Sequence, residues 1–312
     1  MLVSIVVPVY NVRPSYFADA VASCAGQTWS DGLELVVVDD GSGPENHRAY
    51  TEVLASVRSR LAVTVIRKLH NAGLAPARND GIAASSGEVV VLLDGDDVLA
   101  PDAVAAIAER LSGGGFDLVY TDHDKRSADL AEVQHVRRKE IFQQLLEIHA
   151  GTPMDPMLHS TFLIHCHGLR RSAMGETPFD PAYGVGDEIK LHLELSRDLP
   201  LRIGHVPEVL YHYRDNPEGI CHSGQYPRLI GNIESIMAEE MGRRLGVAVT
   251  TRRAGRCANT HAALYQHIEL HSSEGGREIL APYIDYETLS VVDAGGSLPA
   301  ISSAAVRTGE PL

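Results

Sequence analysis

The first 120 residues alternate near-continuous apolar runs with amphipathic stripes, and that alternation leaves few folds open. Leu2 to Val9 is a short apolar run, followed by Phe17, Ala18, Val21, Ala22 and Ala25 at helical spacing. "LELVVVDD" (Leu33 to Asp40) gives a second strand, and Tyr50, Val53, Leu54, Val57 and Leu61 a second helical stripe. "AVTVI" (Ala62 to Ile66) and "EVVVLLD" (Glu88 to Asp94) are strand-like. "PDAVAAIAERL" opens a helix at Pro101, with Val104, Ile107, Ala108 and Leu111 on one face, and "FDLVYTD" (Phe116 to Asp122) closes the series. Unbroken Val/Ile/Leu runs are buried on both faces. The sequence therefore predicts an α/β fold with a mostly parallel central sheet and helices on both faces.

In open sheets of this kind, ligands bind beyond the carboxyl ends of the strands. Asp39 and Asp40 end one run, Asp94 and Asp96 another, and Asp122 and Asp124 a third, so three acidic strand ends are expected to face one crevice. The crowding at "DGDD" is costly: a like-charged pair about 4 Å apart repels by roughly 4 kcal/mol at an effective dielectric of about 20. A positive partner belongs there. The same residues suit a turn ahead of a helix, or a divalent cation, since Mg²⁺ is held by one or two carboxylates together with substrate phosphates.

Charge and cysteine content narrow the setting. Lys and Arg total 27 against 41 for Asp and Glu, a formal net charge of −14. That balance argues against nonspecific nucleic-acid binding and against anionic membrane surfaces. Four scattered cysteines without a C-x-x-C fit a reducing compartment, with no disulfide framework or zinc ribbon. The N-terminus lacks a basic region and a cleavage site, and no apolar run is long enough to span a bilayer. A cytoplasmic protein with no transmembrane segment is expected.

After about residue 125 the alternation stops. Helical stripes at Ile141, Phe142, Leu145, Leu146 and Ile148, and at Leu229, Ile230, Ile233, Ile236 and Met237, flank Pro- and His-rich loops. "HCH" (His165 to His167) has the look of a metal site but lacks a further ligand pair, and is read as packing or acceptor lining. "REILAPYIDYETLSVVD" offers a strand or two before a Ser/Gly/Ala-rich end.

Five segments occur in one order: "IVVPVYN" (Ile5 to Asn11), "VVVDDGSG" (Val36 to Gly43), "NAGLAPARNDGI" (Asn71 to Ile82), "SSGEVVVLLDGDD" (Ser85 to Asp97) and "VPEVLYHYR" (Val206 to Arg214). Together they resemble the family 2 glycosyltransferases of the GT-A fold, closely over residues 3 to 124 and more loosely from Pro178 to Ser223. The resemblance implies a nucleotide-sugar-binding half at 1–124, an acceptor-binding half at 125–249 and a C-terminal extension at 250–312 of unknown role. That extension could aid dimerisation, giving a homo-oligomer, or cover the acceptor site.

The resemblance also implies roles. Pro8 and Tyr10 line the base pocket, and Asp39 or Asp40 accepts a hydrogen bond from the base. Arg78 lies near the base or the phosphates. Asp94 and Asp96 are the D-x-D pair, with Asp96 the direct ligand of Mn²⁺ or Mg²⁺ and Asp94 facing the ribose or a metal-bound water. His212 is a candidate third ligand, and His222 is equally open. "PFDPAYGVGDEIKLHLEL" (Pro178 to Leu195) resembles the segment in which an acidic pair carrying the catalytic base precedes a helix. Glu188 matches that base by position and Asp187 by residue type.

The activity implied is inverting transfer from a nucleoside-diphosphate sugar, UDP being the commonest nucleotide, to an acceptor hydroxyl of unknown identity. A sugar-nucleotide nucleotidyltransferase and a non-catalytic nucleotide-sugar-binding protein are the alternatives. The first normally carries a Gly-rich basic phosphate loop, in whose place "VPVYN" stands. A glycoside hydrolase also pairs carboxylates but needs no nucleotide pocket.

Overall fold

The computed structural model describes residues 1–137, 167–176, 178–183, 187–195 and 202–219, with shorter stretches at 222, 231–232, 235–236, 238–240, 242–243, 250–253 and 268–271. Its elements are β1 (Val3–Val9), α1 (Pro14–Ala25), β2 (Leu33–Asp39), α2 (Pro44–Val57), β3 (Ala62–Arg67), α3 (Leu74–Ala84), β4 (Val89–Leu92) and β5 (Val98–Leu99). They continue with α4 (Ala103–Gly114), β6 (Leu118–Arg126), β7 (Val133–Arg137), β8 (His167–Arg170), α5 (Asp187–Leu195) and β9 (Ile203–Arg214). β10 (Thr250–Arg253) and β11 (Ile268–His271) pair antiparallel in a separate ribbon.

The main sheet has nine strands in the order β3-β2-β1-β4-β8-β6-β9-β5, with β7 paired to β6. The first four are mutually parallel, and β6 and β9 run the same way. β8, β7 and β5 run against them. The sheet is therefore mostly parallel, as the sequence predicts. The reversed β8 is a short strand wedged between β4 and β6 and lies outside the alternating pattern.

Alternate residues of the strands feed two cores. Val3, Ile5, Val7 and Val9 of β1 pack with Phe17 and Val21 of α1, Tyr50 and Leu54 of α2, and Val104 and Ile107 of α4. Val6 faces the other side, with Val36, Val90 and Leu92 of the sheet, Ala75 and Ile82 of α3, and Leu191 of α5. Helices thus cover both faces, and α3 and α5 share one of them.

α3 departs from the usual helix signature. Its buried residues are Ala75, Ala77, Arg78, Asn79, Gly81 and Ile82, so periodicity gives no apolar stripe and the sequence pattern misses the helix. Gly81 lets it approach the sheet: a Cβ there would collide with Val6 Cγ1 and lie 3.1 Å from Val38 Cγ2. Two consecutive arginines leaving β8 cap neighbouring helices. Arg170 donates to the carbonyls of Leu111 (2.7 Å) and Phe116 (2.8 Å) at the end of α4. Arg171 donates to Ile82 (3.1 Å) and Gly87 (2.7 Å) and to Ser85 Oγ (2.6 Å) at the end of α3. One orphan carbonyl at each helix end, that of Leu111 and that of Ile82, thereby gains a donor.

Some expectations shift. β6 continues to Arg126, because it pairs on one side with β7 and on the other with the long β9. Asp122 and Asp124 therefore lie buried within a strand, not at its end, and the acidic strand ends number two instead of three. α4 begins at Ala103, with Asp102 at its N-cap and Pro101 just ahead. The 141–148 stripe, most of the 229–237 stripe, His165 and the segment 277–293 lie outside the described residues. Among the described residues no helix is long and apolar enough to cross a membrane.

Gly81→Ala is expected to lower stability by about 1–3 kcal/mol, the usual cost of overpacking. The shift would be read as a lowered urea midpoint at unchanged slope.

Candidate active site

The ends of β1, β2 and β4 lie side by side, and the turns that leave them build the site. After β1, Tyr10 is 47% exposed, leaving its ring open to a partner, whereas Pro8 is buried within the strand. Asn11 adopts a left-handed φ of 51° and accepts from the Gly43 amide through Oδ1 at 2.9 Å. After β2, Asp39 accepts from the Ser42 amide (2.8 Å) and pairs with His47 Nδ1 (2.7 Å). Asp40 accepts from the amides of Ala72 (3.1 Å) and Gly73 (2.9 Å) and meets Lys68 Nζ at 3.3 Å. Gly41 between them and the loop has φ 79°, and a Cβ there would sit 2.7 Å from the His70 carbonyl carbon. Asp39 and Asp40 therefore hold the two turns that flank the crevice.

"DGDD" forms a turn closed by the Asp97 amide donating to the Asp94 carbonyl at 3.1 Å. Its three acids go three ways. Asp97 points inward, is 1% exposed, and accepts from Tyr211 Oη (2.5 Å) and from the Arg214 amide (2.8 Å). Burial, with Asp96 and Asp94 close by, holds its carboxyl well above the usual range. Asp96 accepts from Asn216 Nδ2 at 2.7 Å, and burial pushes its carboxyl up as well. Asp94 accepts from Arg78 Nη2 at 3.1 Å. In both Asp94 and Asp96, the second carboxylate oxygen has no partner among the described residues.

The positive charge that the crowding demands comes from two buried guanidiniums. Arg78, 3% exposed, reaches from α3 to three carboxylates. Nη1 donates to both oxygens of Asp187 at 2.9 and 3.0 Å, and Nη2 meets Asp94 at 3.1 Å and Glu188 at 2.5 Å. Burial opposes its charge, yet the three acids outweigh burial and hold it above the ordinary guanidinium value. Asp187 stays above the usual carboxylate range because burial outweighs Arg78.

Arg214, at the end of β9, is 2% exposed. It donates to the Asp96 carbonyl (2.6 Å), the Ala128 carbonyl (2.6 Å) and Asp19 (2.8 Å), and lies 4.2 Å above the Tyr16 ring.

Of the residues singled out from sequence, Asp94, Arg78, Asp187 and Glu188 touch directly, and Asp96 joins them through its turn. Asp187 and Glu188 occupy the first turn of α5, where the dipole favours acids. His212 pairs with Val98 in the sheet and directs Nδ1 to Asp124 at 2.8 Å. Among the described residues, no three His, Cys, Asp or Glu side chains form a group that could hold a metal by themselves. His222 meets Asp215 at 2.7 Å. Sequence reasoning missed Tyr211, Arg214 and Asn216 as supports of the acidic turn. The available signal was "YHYR" closing a strand, since an arginine at a strand end needs acids nearby.

The family model described as glycosyl transferase family 2 matches residues 4–177. The match spans more than half of the chain, which therefore belongs to that family. Among curated relatives, the chain is 28% identical over 240 residues to the uncharacterized glycosyltransferase EpsJ of Bacillus subtilis, covering 73% of this chain and 65% of that protein. It is 30% identical over 229 residues to the O-antigen biosynthesis protein RfbC of Myxococcus xanthus, covering 72% of this chain and 16% of that protein. The chain thus spans less than two thirds of the length of either.

Two solved structures share the fold. S. aureus TarS 1-349 in complex with UDP-GlcNAc aligns with a TM-score of 0.57 at 16% identity, over 79% of this chain and 73% of that one. The mannosyltransferase PcManGT from Pyrobaculum calidifontis, in complex with GDP-Man and Mn²⁺, aligns with a TM-score of 0.56 at 19% identity, over 97% and 78%. The architecture is that of GT-A glycosyltransferases.

Arg214→Ala is expected to destabilise the chain by about 1–3 kcal/mol for each acceptor it leaves without a donor, the Asp96 and Ala128 carbonyls, while the backbone amide that holds Asp97 is kept. Denaturant titration checks this.

Proposed function

We propose that the chain transfers a sugar from a nucleoside-diphosphate sugar to an acceptor hydroxyl with inversion at the anomeric carbon, using Mn²⁺ or Mg²⁺. One observation carries this reading: Asp94 of the D-x-D turn and the Asp187–Glu188 pair, far apart in sequence, meet on the single guanidinium of Arg78. An acidic turn suited to a cation and an acidic pair suited to a base thus adjoin, as a single displacement requires.

The donor set fits a hard cation. Asp94 and Asp96 each keep one carboxylate oxygen without a protein partner among the described residues, and two carboxylates with a diphosphate make an ordinary Mg²⁺ or Mn²⁺ site. Asp96 would be the direct ligand, and Asp94 would lie toward the ribose or a bound water. His212, with Nδ1 on Asp124, has only Nε2 to offer. When bound, the cation supplies Lewis-acid neutralisation of the charge on the departing nucleoside diphosphate.

The chain's own residues do the rest. Tyr10 packs its exposed ring on the nucleobase above Pro8, and Asp39 or Asp40 accepts from the base edge. Glu188 or Asp187 takes the proton of the attacking hydroxyl. Asp187 has both oxygens on Arg78, whereas Glu188 meets it through Oε1 alone and is the more exposed, 11% against 3%. That favours Glu188. Residues 1–124 serve the donor and 125–249 shape the acceptor side, with 250–312 as an extension. The UDP-GlcNAc complex of TarS supports a UDP donor, and the GDP-Man and Mn²⁺ complex of PcManGT supports the cation.

Thermal shift with UDP, GDP and dTDP, with and without Mn²⁺, tests the donor site. A nucleotide at about a hundredfold excess over its dissociation constant stabilises the fold by about 2.7 kcal/mol. Asp96→Ala is expected to lose the cation-dependent part, and an unchanged Mn²⁺ response in that variant would refute the metal assignment. Glu188→Gln is expected to cut turnover by about 10²–10⁴-fold with nucleotide binding kept. If Asp187→Asn shows that loss instead, the base is Asp187.

A further inference from the structure

Arg78 stands where the donor acids and the base pair meet, and its nitrogens are largely committed to protein. Resting on the reading above, we propose that Arg78 is a positioning residue for the general base. Its guanidinium clamps Asp187 and Glu188 beside Asp94 and does not itself bind the nucleobase or the phosphates.

The geometry is that of a clamp. Nη1 takes both oxygens of Asp187, and Nη2 is shared between Asp94 and Glu188. Such a two-pronged guanidinium fixes both distance and orientation of its acids. The group also lies 5.3 Å over the Phe179 ring. Phe179 is pinned in turn, because Asn79, the next residue of α3, donates to its carbonyl at 2.7 Å and accepts from its amide at 2.9 Å. Helix α3 therefore supplies the guanidinium and the anchor of the ring beneath it.

Turning Arg78 toward a phosphate would leave Asp187 and Glu188 in a place that water scarcely reaches. Two buried carboxylates deprived of their cation are strongly disfavoured. The shared Nη2 also links the two halves of the reaction. A cation or donor that draws on Asp94 acts on the same nitrogen that holds Glu188, so the base is oriented as the donor is seated.

Other titratable groups stand near the pair among the described residues. Asp94 comes from the turn after β4. One helical turn beyond Glu188 on α5 stands His192, whose ring meets that of His167 on β8 at 5.1 Å. Among the described residues Arg78 is a cation in direct contact with the pair, and it favours the carboxylate form. Without it the acids hold their protons to higher pH, so the acid limb of turnover must move upward. Lysine keeps the charge and loses the fork.

The experiment compares wild type, Arg78→Gln and Arg78→Lys. UDP, GDP and dTDP binding with Mn²⁺ is measured by calorimetry, and nucleotide release from UDP-, GDP- and dTDP-sugars is followed across pH. Arg78→Gln is expected to keep nucleotide affinity within about threefold and to lose turnover by about 100-fold or more. Its acid limb should rise by about one pH unit or more, whereas that of Arg78→Lys stays near wild type at a reduced rate. If affinity falls in proportion to turnover, Arg78 serves the nucleotide and the clamp is refuted; unchanged turnover refutes it equally. Should Arg78→Gln fail to fold, Arg78→Lys carries the same comparison, and wild-type affinity with a lowered rate is again the expected result. A wild type that neither binds nor releases any of these nucleotides overturns the donor reading instead.

Discussion

Acids placed at the ends of buried strands repel one another, and the whole strand-end face depends on how that repulsion is met. The chain meets it with two arginines withdrawn from water. Arg78 comes from the helix on one face and neutralises Asp94, Asp187 and Glu188. Arg214 comes from the last strand, donates its amide to Asp97 and its side chain to the Asp96 carbonyl. Each guanidinium is costly to bury and acceptable only with carboxylates around it, and the converse holds for the acids. The two sets of charges therefore fix each other, and the elements that carry them must pack as they do.

This mutual dependence explains why α3 lacks an ordinary apolar stripe. A helix that must present Arg78 and Asn79 inward cannot also line that face with leucines, so alanines and Gly81 do the packing. Close approach replaces bulk. Arg171 then donates to the Ile82 carbonyl and to Ser85 Oγ at the end of α3, joining the helix to β8 and so to the middle of the sheet.

Much of this was legible from residue order. The unbroken apolar runs gave the parallel half of the sheet, because burial on both faces removes the polar alternation. The strand-end rule located the crevice, and "DGDD" signalled that a cation was needed. What escaped has physical causes. α3 carries its buried polar face in place of periodicity, and β8 is too short and too dependent on its neighbours to announce itself. The end of β6 differs from expectation because Asp122 and Asp124, which look like a strand terminus, are partnered inside the sheet, Asp122 by His205 and Asp124 by His212 and Arg126. The acidic pair and Arg78 each stand out in the sequence, but that they meet does not, because spacing does not reveal which charges come together.

The attachment of the acidic turn to β9 has a consequence for how the molecule can be divided. Asp96 leans on Asn216, and Asp97 on Tyr211 and the Arg214 amide, more than a hundred positions downstream. A fragment ending at residue 124 would retain the first four of the five motif segments while losing the scaffold that sets the carboxylates of the acidic turn. The recognisable portion of the chain is therefore not an autonomous module, and grafting it onto another protein would transplant the letters of the site without its shape.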